Sequence, residues 1–114
     1  MPAADNIRQQ MRKGLLEFCL LLLLERKHEA YAQEIVQELK DADMIVVEGS
    51  LYPALMRLKN NGCLEYKWVE SKQGPPRKYY SITETGKDLL KEHQAAWNEM
   101  RNAVEKLSTC TTNH

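Results

Sequence analysis

The stretch Gly49-Ser50-Leu51-Tyr52-Pro53-Ala54-Leu55-Met56-Arg57-Leu58-Lys59-Asn60-Asn61-Gly62, with the run from Cys63 to Ile82 behind it, decides the fold. Leu51, Leu55 and Leu58 recur at helical spacing, and Asn61-Gly62 is a strong stop signal. Ser50 is expected as the N-cap. That would set Pro53 at the third helical position, where its missing N–H has no partner to lose. Leu64 to Val69 and Arg77 to Ile82 then read as two strands joined by Glu70 to Pro76. The Gly74-Pro75-Pro76 tip cannot be helical, so a hairpin with an extended, partly rigid tip is expected.

Working outward, a first helix is expected from about Asn6 to Lys27, with Met11, Leu15, Phe18 and Leu22 in register. Leu16, Leu20, Leu23 and Leu24 widen its apolar surface to most of the circumference. Such a helix must be covered on several sides, by the rest of the domain and by a second subunit. A second helix follows from about Tyr31 to Ala42, carrying Ala32, Ile35, Val36 and Leu39, and Met44 to Val47 reads as a minimal strand. The last helix should start near Thr83 to Thr85 and run to about Ser108, leaving a frayed tail. Its series Leu90, His93, Trp97, Met100, Val104, Leu107 steps by 3, 4, 3, 4 and 3, a coiled-coil seam. The expected fold is mainly α with a small β-hairpin. A winged helix-turn-helix domain (residues 1–83) precedes a long dimerisation helix and tail (residues 84–114), the two forming one unit.

The net charge is zero, yet the charges are unevenly placed. Residues 48–82 carry six basic groups (Arg57, Lys59, Lys67, Lys72, Arg77, Lys78) against Glu48, Glu65 and Glu70, whereas residues 31–47 are net acidic. A phosphate backbone would be drawn to the middle segment rather than to the whole protein. Three cysteines (Cys19, Cys63, Cys110) without C-x-x-C spacing favour a reducing cytoplasm, with Cys19 as a buried free thiol. The leucine run is interrupted by Glu17 and followed by Glu25, Arg26, Lys27 and Glu29, so it reads as a core helix rather than a signal peptide or membrane span.

On the third helix, Pro53 and Asn60 lie nearly opposite the leucine face, flanked by Ser50 and Arg57 with Tyr52 at the edge. Small and polar side chains there permit close approach to double-stranded DNA, and the helix N-terminus offers free N–H groups to phosphate. Arg57 could pair with guanine or hold a phosphate, and on this helix alone a solvated face explains Arg57 and Asn60 equally well. The hairpin decides for DNA: Lys72, Gln73, Arg77 and Lys78 surround the stiffened tip. A stiff basic hairpin loses little entropy on docking along a minor groove or phosphate row. Tyr79 and Tyr80 point to opposite faces, one to the core and one outward.

These residues carry a resemblance. Gly49 to Leu55, Arg57-Leu58, Gly62, Leu64 and the run Gly74-Pro75-Pro76-Arg77-Lys78-Tyr79-Tyr80-Ser81-Ile82-Thr83-Glu84-Thr85-Gly86 resemble the PadR-type transcriptional regulators, in their short branch. The resemblance implies a winged helix, a homodimer made by the last helix against the partner's first, and usually repression of a nearby gene, with some members responding to small molecules. It also implies that Ser50, Tyr52, Pro53, Arg57, Arg77 and Lys78 face DNA. Tyr31 matches the Tyr-Gly pair that often opens the family's second helix and joins that set, with Ala32 in place of the Gly.

Other chemistries find no residues. His28, His93 and His114 are far apart without Cys or carboxylate partners at ligand spacing, so no metal or other cofactor is expected. No phosphate loop, nucleophile motif or carboxylate pair supports an enzyme. Phe18, Leu22, His93, Trp97, Met100 and Val104 form the expected dimer surface. Trp97 is read first as an interface anchor, and second as one wall, with Phe18 or Met100, of a cavity for a flat aromatic or apolar effector. The competing functional reading is a winged-helix protein-interaction module without DNA binding, for which the neutral net charge speaks.

Overall fold

The computed structural model describes Pro2–Thr109; Cys110, His114 and the expected tail lie outside the described residues. The order is α1 (Pro2–Lys27), β1 (Ala30–Tyr31), α2 (Ala32–Asp41), α3 (Glu48–Asn60), β2 (Leu64–Ser71), β3 (Gly74–Ile82) and α4 (Glu84–Thr109). This is the winged helix-turn-helix expected from the sequence.

The apolar breadth of α1 has a simple cause: α2, α3, α4 and β3 all pack on it. Leu16, Phe18, Leu20, Leu21, Leu23 and Leu24 are buried there, together with Ile35 and Leu39 of α2 and Leu51, Ala54, Leu55 and Leu58 of α3. Fully burying one such leucine contributes about 1.5–3 kcal/mol, so this cluster sets the position of α3. Cys19 is only half-buried, contrary to the expected buried thiol, because its face of α1 lies at the margin of the core; the buried thiol is Cys63.

Met44–Val47 is not a strand. Instead α2 closes with Asp43 in the left-handed region (φ 60°), and the N–H groups of Asp43 and Met44 bond the carbonyls of Lys40 and Leu39 at 2.9 and 2.8 Å. This Schellman closure turns the chain directly toward α3. Met44 and Val46 tuck against the core while Ile45 and Val47 stay exposed, so the alternation that imitates a strand reflects one-sided burial without a ladder. The third strand is β1, which pairs antiparallel with β3 through Ala30↔Tyr80 and Tyr31↔Tyr79, giving the sheet order β1-β3-β2.

α3 begins two residues before the expected Ser50 cap. Val47 is the N-cap, its carbonyl accepting the N–H of Ser50 and Leu51 at 3.0 and 3.2 Å, and Ser50 lies within the first turn. Pro53 therefore stands inside the helix rather than at its third position. Its missing N–H deprives the exposed Gly49 carbonyl of an intrahelical partner, a vacancy that water can fill. The helix ends in a second Schellman closure, with Gly62 at φ 79°, Gly62 N–H on Lys59 O and Cys63 N–H on Leu58 O.

The hairpin is longer than the sequence suggested. Lys72 and Gln73 alone form its turn, and Pro75 and Pro76 belong to β3 rather than to the tip. The register passes from Val69↔Arg77 to Ser71↔Gly74, so both prolines fall in an irregular stretch without ladder partners. The outer edge of β3 is also free there, since β1 reaches only Tyr79 and Tyr80. Tyr80 is buried and Tyr79 half-buried, on opposite faces as expected.

α4 is capped by Thr83, whose Oγ1 accepts the Gly86 N–H at 3.0 Å and donates to the Gly62 carbonyl at 2.6 Å. Only as far as Leu90 does α4 bury residues fully, and from Trp97 onward it is exposed. The radius of gyration, 16.8 Å, exceeds the about 13 Å of a compact chain this long because of that projecting helix.

Candidate nucleic-acid interface

With Leu51, Leu55 and Leu58 turned inward, α3 presents Tyr52, Met56 and Lys59 outward at i, i+4 and i+7, with Pro53 beside them. Ser50 points elsewhere: it is half-buried and lines a cavity of about 450 Å³ with Asn6, Gln9, Arg12 and Val46, on the α1 side. Arg57 also turns toward α1, its Nε 3.3 Å from Glu17 Oε2.

The six cations of residues 48–82 divide sharply. Arg57 is paired with Glu17 and Lys67 with Glu29 (3.2 Å). Lys59, Lys72, Arg77 and Lys78 have no carboxylate partner among the described residues. Elsewhere Arg26 and Lys27 are neutralised against Glu34 and Glu38 of α2. Within residues 48–82 the uncompensated positive charge thus lies on the wing and on the end of α3 that meets it.

Two aromatic supports hold these cations. On one face of the sheet the Arg77 guanidinium lies 4.5 Å from the Tyr31 ring centroid, and Tyr31 meets Tyr79 edge-on at 5.3 Å. Tyr31 is itself fixed at the start of α2, where its N–H bonds the Glu34 carboxylate at 3.2 Å. Tyr31, Gln33, Gln73, Pro75, Pro76 and Arg77 line a cleft of about 300 Å³ between α2 and the wing. On the other face Lys78 sits 4.1 Å from the Tyr66 ring and within 6 Å of Trp68 and Tyr80. Lys59 reaches the same Tyr66 ring from α3 at 5.7 Å. Each exposed cation–π contact contributes only about 0.5–1 kcal/mol, so these contacts orient the charges more than they stabilise the fold.

The structure therefore brings Tyr31, Gln73 and Arg77 together, sets Lys72 at the exposed turn, and places Lys78 across the strand from them. Tyr52 and Pro53 lie exposed on α3, apart from Ser50 and Arg57. Sequence reasoning missed Gln33, Met56, Lys59, Tyr66 and Trp68. The signal for the last two was strand alternation: Leu64, Tyr66 and Trp68 share a face whose inner end alone is buried. Lys59 was one charge among six until its contact with the wing distinguished it.

At the far end, Phe18 stacks on His93 (5.7 Å between centroids, 6° between planes) and meets Trp97 at 6.5 Å. Burial pushes the thiols of Cys19 and Cys63 up, the Glu17 carboxylate adding to the shift of Cys63. Among the described residues no group of three or more His, Cys, Asp or Glu could hold a metal, and no helix is long and apolar enough to cross a membrane.

Three helices and a wing with its cations turned outward define the winged helix-turn-helix class of regulators. Residues 20–92 match the family model described as the transcriptional regulator PadR-like family. The chain belongs to that family. It is 55% identical to the solved PadR-like transcription factor from Bacteroides fragilis, over 90% of this chain and 99% of that one, with a TM-score of 0.73. A PadR-like transcriptional regulator from Bacillus cereus is 36% identical over 86% and 95% of the two chains, with a TM-score of 0.74. A PadR family regulator from Eggerthella lenta is 31% identical over 93% and 88%, with a TM-score of 0.79.

Proposed function

We propose that this protein is a homodimeric, sequence-specific DNA-binding repressor. In this reading residues 1–83 contact the operator and residues 84–114 assemble the dimer. The observation that carries it is the gathering of four cations without a carboxylate partner among the described residues (Lys59, Lys72, Arg77, Lys78) on the wing and the adjoining end of α3, beside the exposed outer face of that helix. A neutral protein shaped this way binds polyanions locally, and Tyr52 and Pro53 then approach base edges while Lys72 and Arg77 hold the backbone.

Dimerisation is supported by an apolar surface that the monomer leaves uncovered: Ile7, Met11 and Leu22 on α1, and Trp97, Met100, Val104 and Leu107 on α4. A two-fold dimer would present two copies of α3 to half-sites about one helical turn apart. The aromatic group of Phe18, His93 and Trp97 lies on the border of that surface and suits a flat apolar effector. Titration with aromatic cations, followed by tryptophan fluorescence, tests this last element; no change up to millimolar ligand removes it.

The central test is a mobility shift with the DNA upstream of the protein's own gene. Tighter binding there than to random duplex, weakening steeply with salt, is the expected result. Equal binding to both removes sequence specificity. Binding to neither leaves the protein-interaction reading.

A further inference from the structure

We infer that the cleft between the N-terminal half of α1 and the start of α3 is a binding site for a small organic carboxylate with an aliphatic body. The inference goes beyond DNA binding and stands or falls without it.

The starting observation is a change of character along one face of α1. Leu16, Leu20 and Leu23 of that face lie in the core. Toward the N-terminus the same face continues, at helical spacing, as Gln9, Arg12 and Lys13. A polar face that has left its core ordinarily meets open water. Here the segment Ile45-Val46-Val47 and Ser50 of α3 stand opposite it, and the two walls enclose about 450 Å³. That volume falls within the ordinary range of small-ligand sites.

The walls choose the occupant. Arg12 is half-buried, and its guanidinium has no carboxylate partner among the described residues. Ser50 is half-buried as well, and its hydroxyl makes no hydrogen bond to them. Lys13 adds a second positive charge, and no carboxylate lines the cleft among the described residues. On the other wall Ile45, Val46 and Val47 offer branched aliphatic side chains and no ring, with Ile45 and Val47 well exposed. A guanidinium presents a planar fork that holds a carboxylate through two N–H donors. The aliphatic wall then takes a hydrocarbon body, which gains from leaving water. A DNA phosphate would satisfy Arg12 and Lys13 but leave that wall wet, and a flat ring has nothing there to stack on.

The cleft is separate from the surfaces described above. Ser50 lies about 160° round α3 from Tyr52, away from the outward stripe. On α1 the exposed Ile7, Met11 and Leu22 run along the opposite side of the helix. Neither the base-facing side of α3 nor the proposed dimer surface uses this site.

The test is calorimetric titration of the full-length protein with octanoate, and with 1-octanol as its uncharged counterpart. Saturable binding at millimolar octanoate is expected, on the order of tenfold tighter than octanol. Arg12→Gln should weaken octanoate binding on the order of tenfold by removing the paired charge. Val47→Asp should weaken it as much, because it sets a carboxylate at the mouth of the cleft. Val47 is an exposed N-cap, a position that favours Asp, so this second variant keeps its fold and its thermal midpoint. Equal affinity for octanoate and octanol overturns the inference, as does the absence of saturation across the millimolar range. Octanoate binding unchanged in both variants also overturns it and puts the probe on the apolar seam around Trp97. A mobility shift weakened in Arg12→Gln, with octanoate binding untouched, overturns it in favour of a phosphate seat.

Discussion

Arg57 of α3 is held by Glu17 of α1, Nε to Oε2 at 3.3 Å, forty residues apart in the chain. The arginine best suited to guanine recognition is thus tethered toward the core side of its helix in the free protein. To reach a base it must leave the carboxylate.

Glu17→Gln should release it. Arg57 remains well exposed, and surface pairs contribute only about 0–1 kcal/mol, so the thermal midpoint should move by a few degrees at most. If Arg57 reads a base, the variant should bind its upstream DNA more tightly and Arg57→Ala should relax sequence preference. If it remains an interhelical strut, both changes leave discrimination untouched. Competition binding against single-base operator variants distinguishes the two.

Gly86→Ala should be among the most damaging small substitutions. An added Cβ would lie 2.1 Å from the Cys63 carbonyl oxygen and 2.7 Å from Ile82 Cγ1. Because a backbone oxygen cannot step aside, α4 would lift from the start of β2, costing about 3 kcal/mol or more. Gly62→Ala makes a useful contrast: a Cβ there meets nothing within 4 Å, and only the positive φ of 79° opposes it. The expected loss is about 1–2 kcal/mol. Urea denaturation of both variants checks the order.

Raised thiol pKa values give stability a defined alkaline limit. Cys19 and Cys63 are both shifted up from an ordinary value of 9.0, chiefly by burial. Well below pH 9 the thiols are protonated in folded and unfolded chains alike and the contribution is constant. Above it the unfolded chain releases protons that the folded one retains, so unfolding is favoured and stability falls as pH rises. A Cys19→Ser, Cys63→Ala double variant should show a flatter decline above pH 9 in denaturant melts, whatever its stability at pH 7.

Charge placed on the α4 seam should separate the proposed dimer. Met100 and Val104 are well exposed in the single chain, so Met100→Glu should leave secondary structure intact while burying an unpaired carboxylate in the dimer. Sedimentation velocity should show monomer in the variant and dimer in the wild type, with operator affinity falling in parallel. A wild type that sediments as a monomer at micromolar concentration removes the dimer and the two-half-site reading.

The helices were legible in the sequence because their signals are local. The leucine spacing in Leu51–Leu58, the Asn61-Gly62 stop and the seam from Leu90 to Leu107 each depend on periodicity or on a residue's own backbone preference. The same locality explains the errors. Met44–Val47 looks like a strand because one-sided burial produces alternation with or without a hydrogen-bonded partner, and no nearby residue announces that Ala30 and Tyr31 hold that edge instead. Ser50 looks like a cap because its chemistry is right, yet Val47 takes the position once Leu51 is drawn into the core.

The sequence by itself determined the order of the four helices and the hairpin, the buried face of each helix and the segment where positive charge gathers, since all three follow from side-chain type and spacing. Only the tertiary structure decided which charges are free. Glu17 and Glu29, distant in the chain, neutralise Arg57 and Lys67, while Tyr31 and Tyr66 orient Arg77, Lys59 and Lys78 without cancelling them. Charge at a surface is a sum over neighbours in space, and in this protein those neighbours come from elements forty residues and more away in the chain.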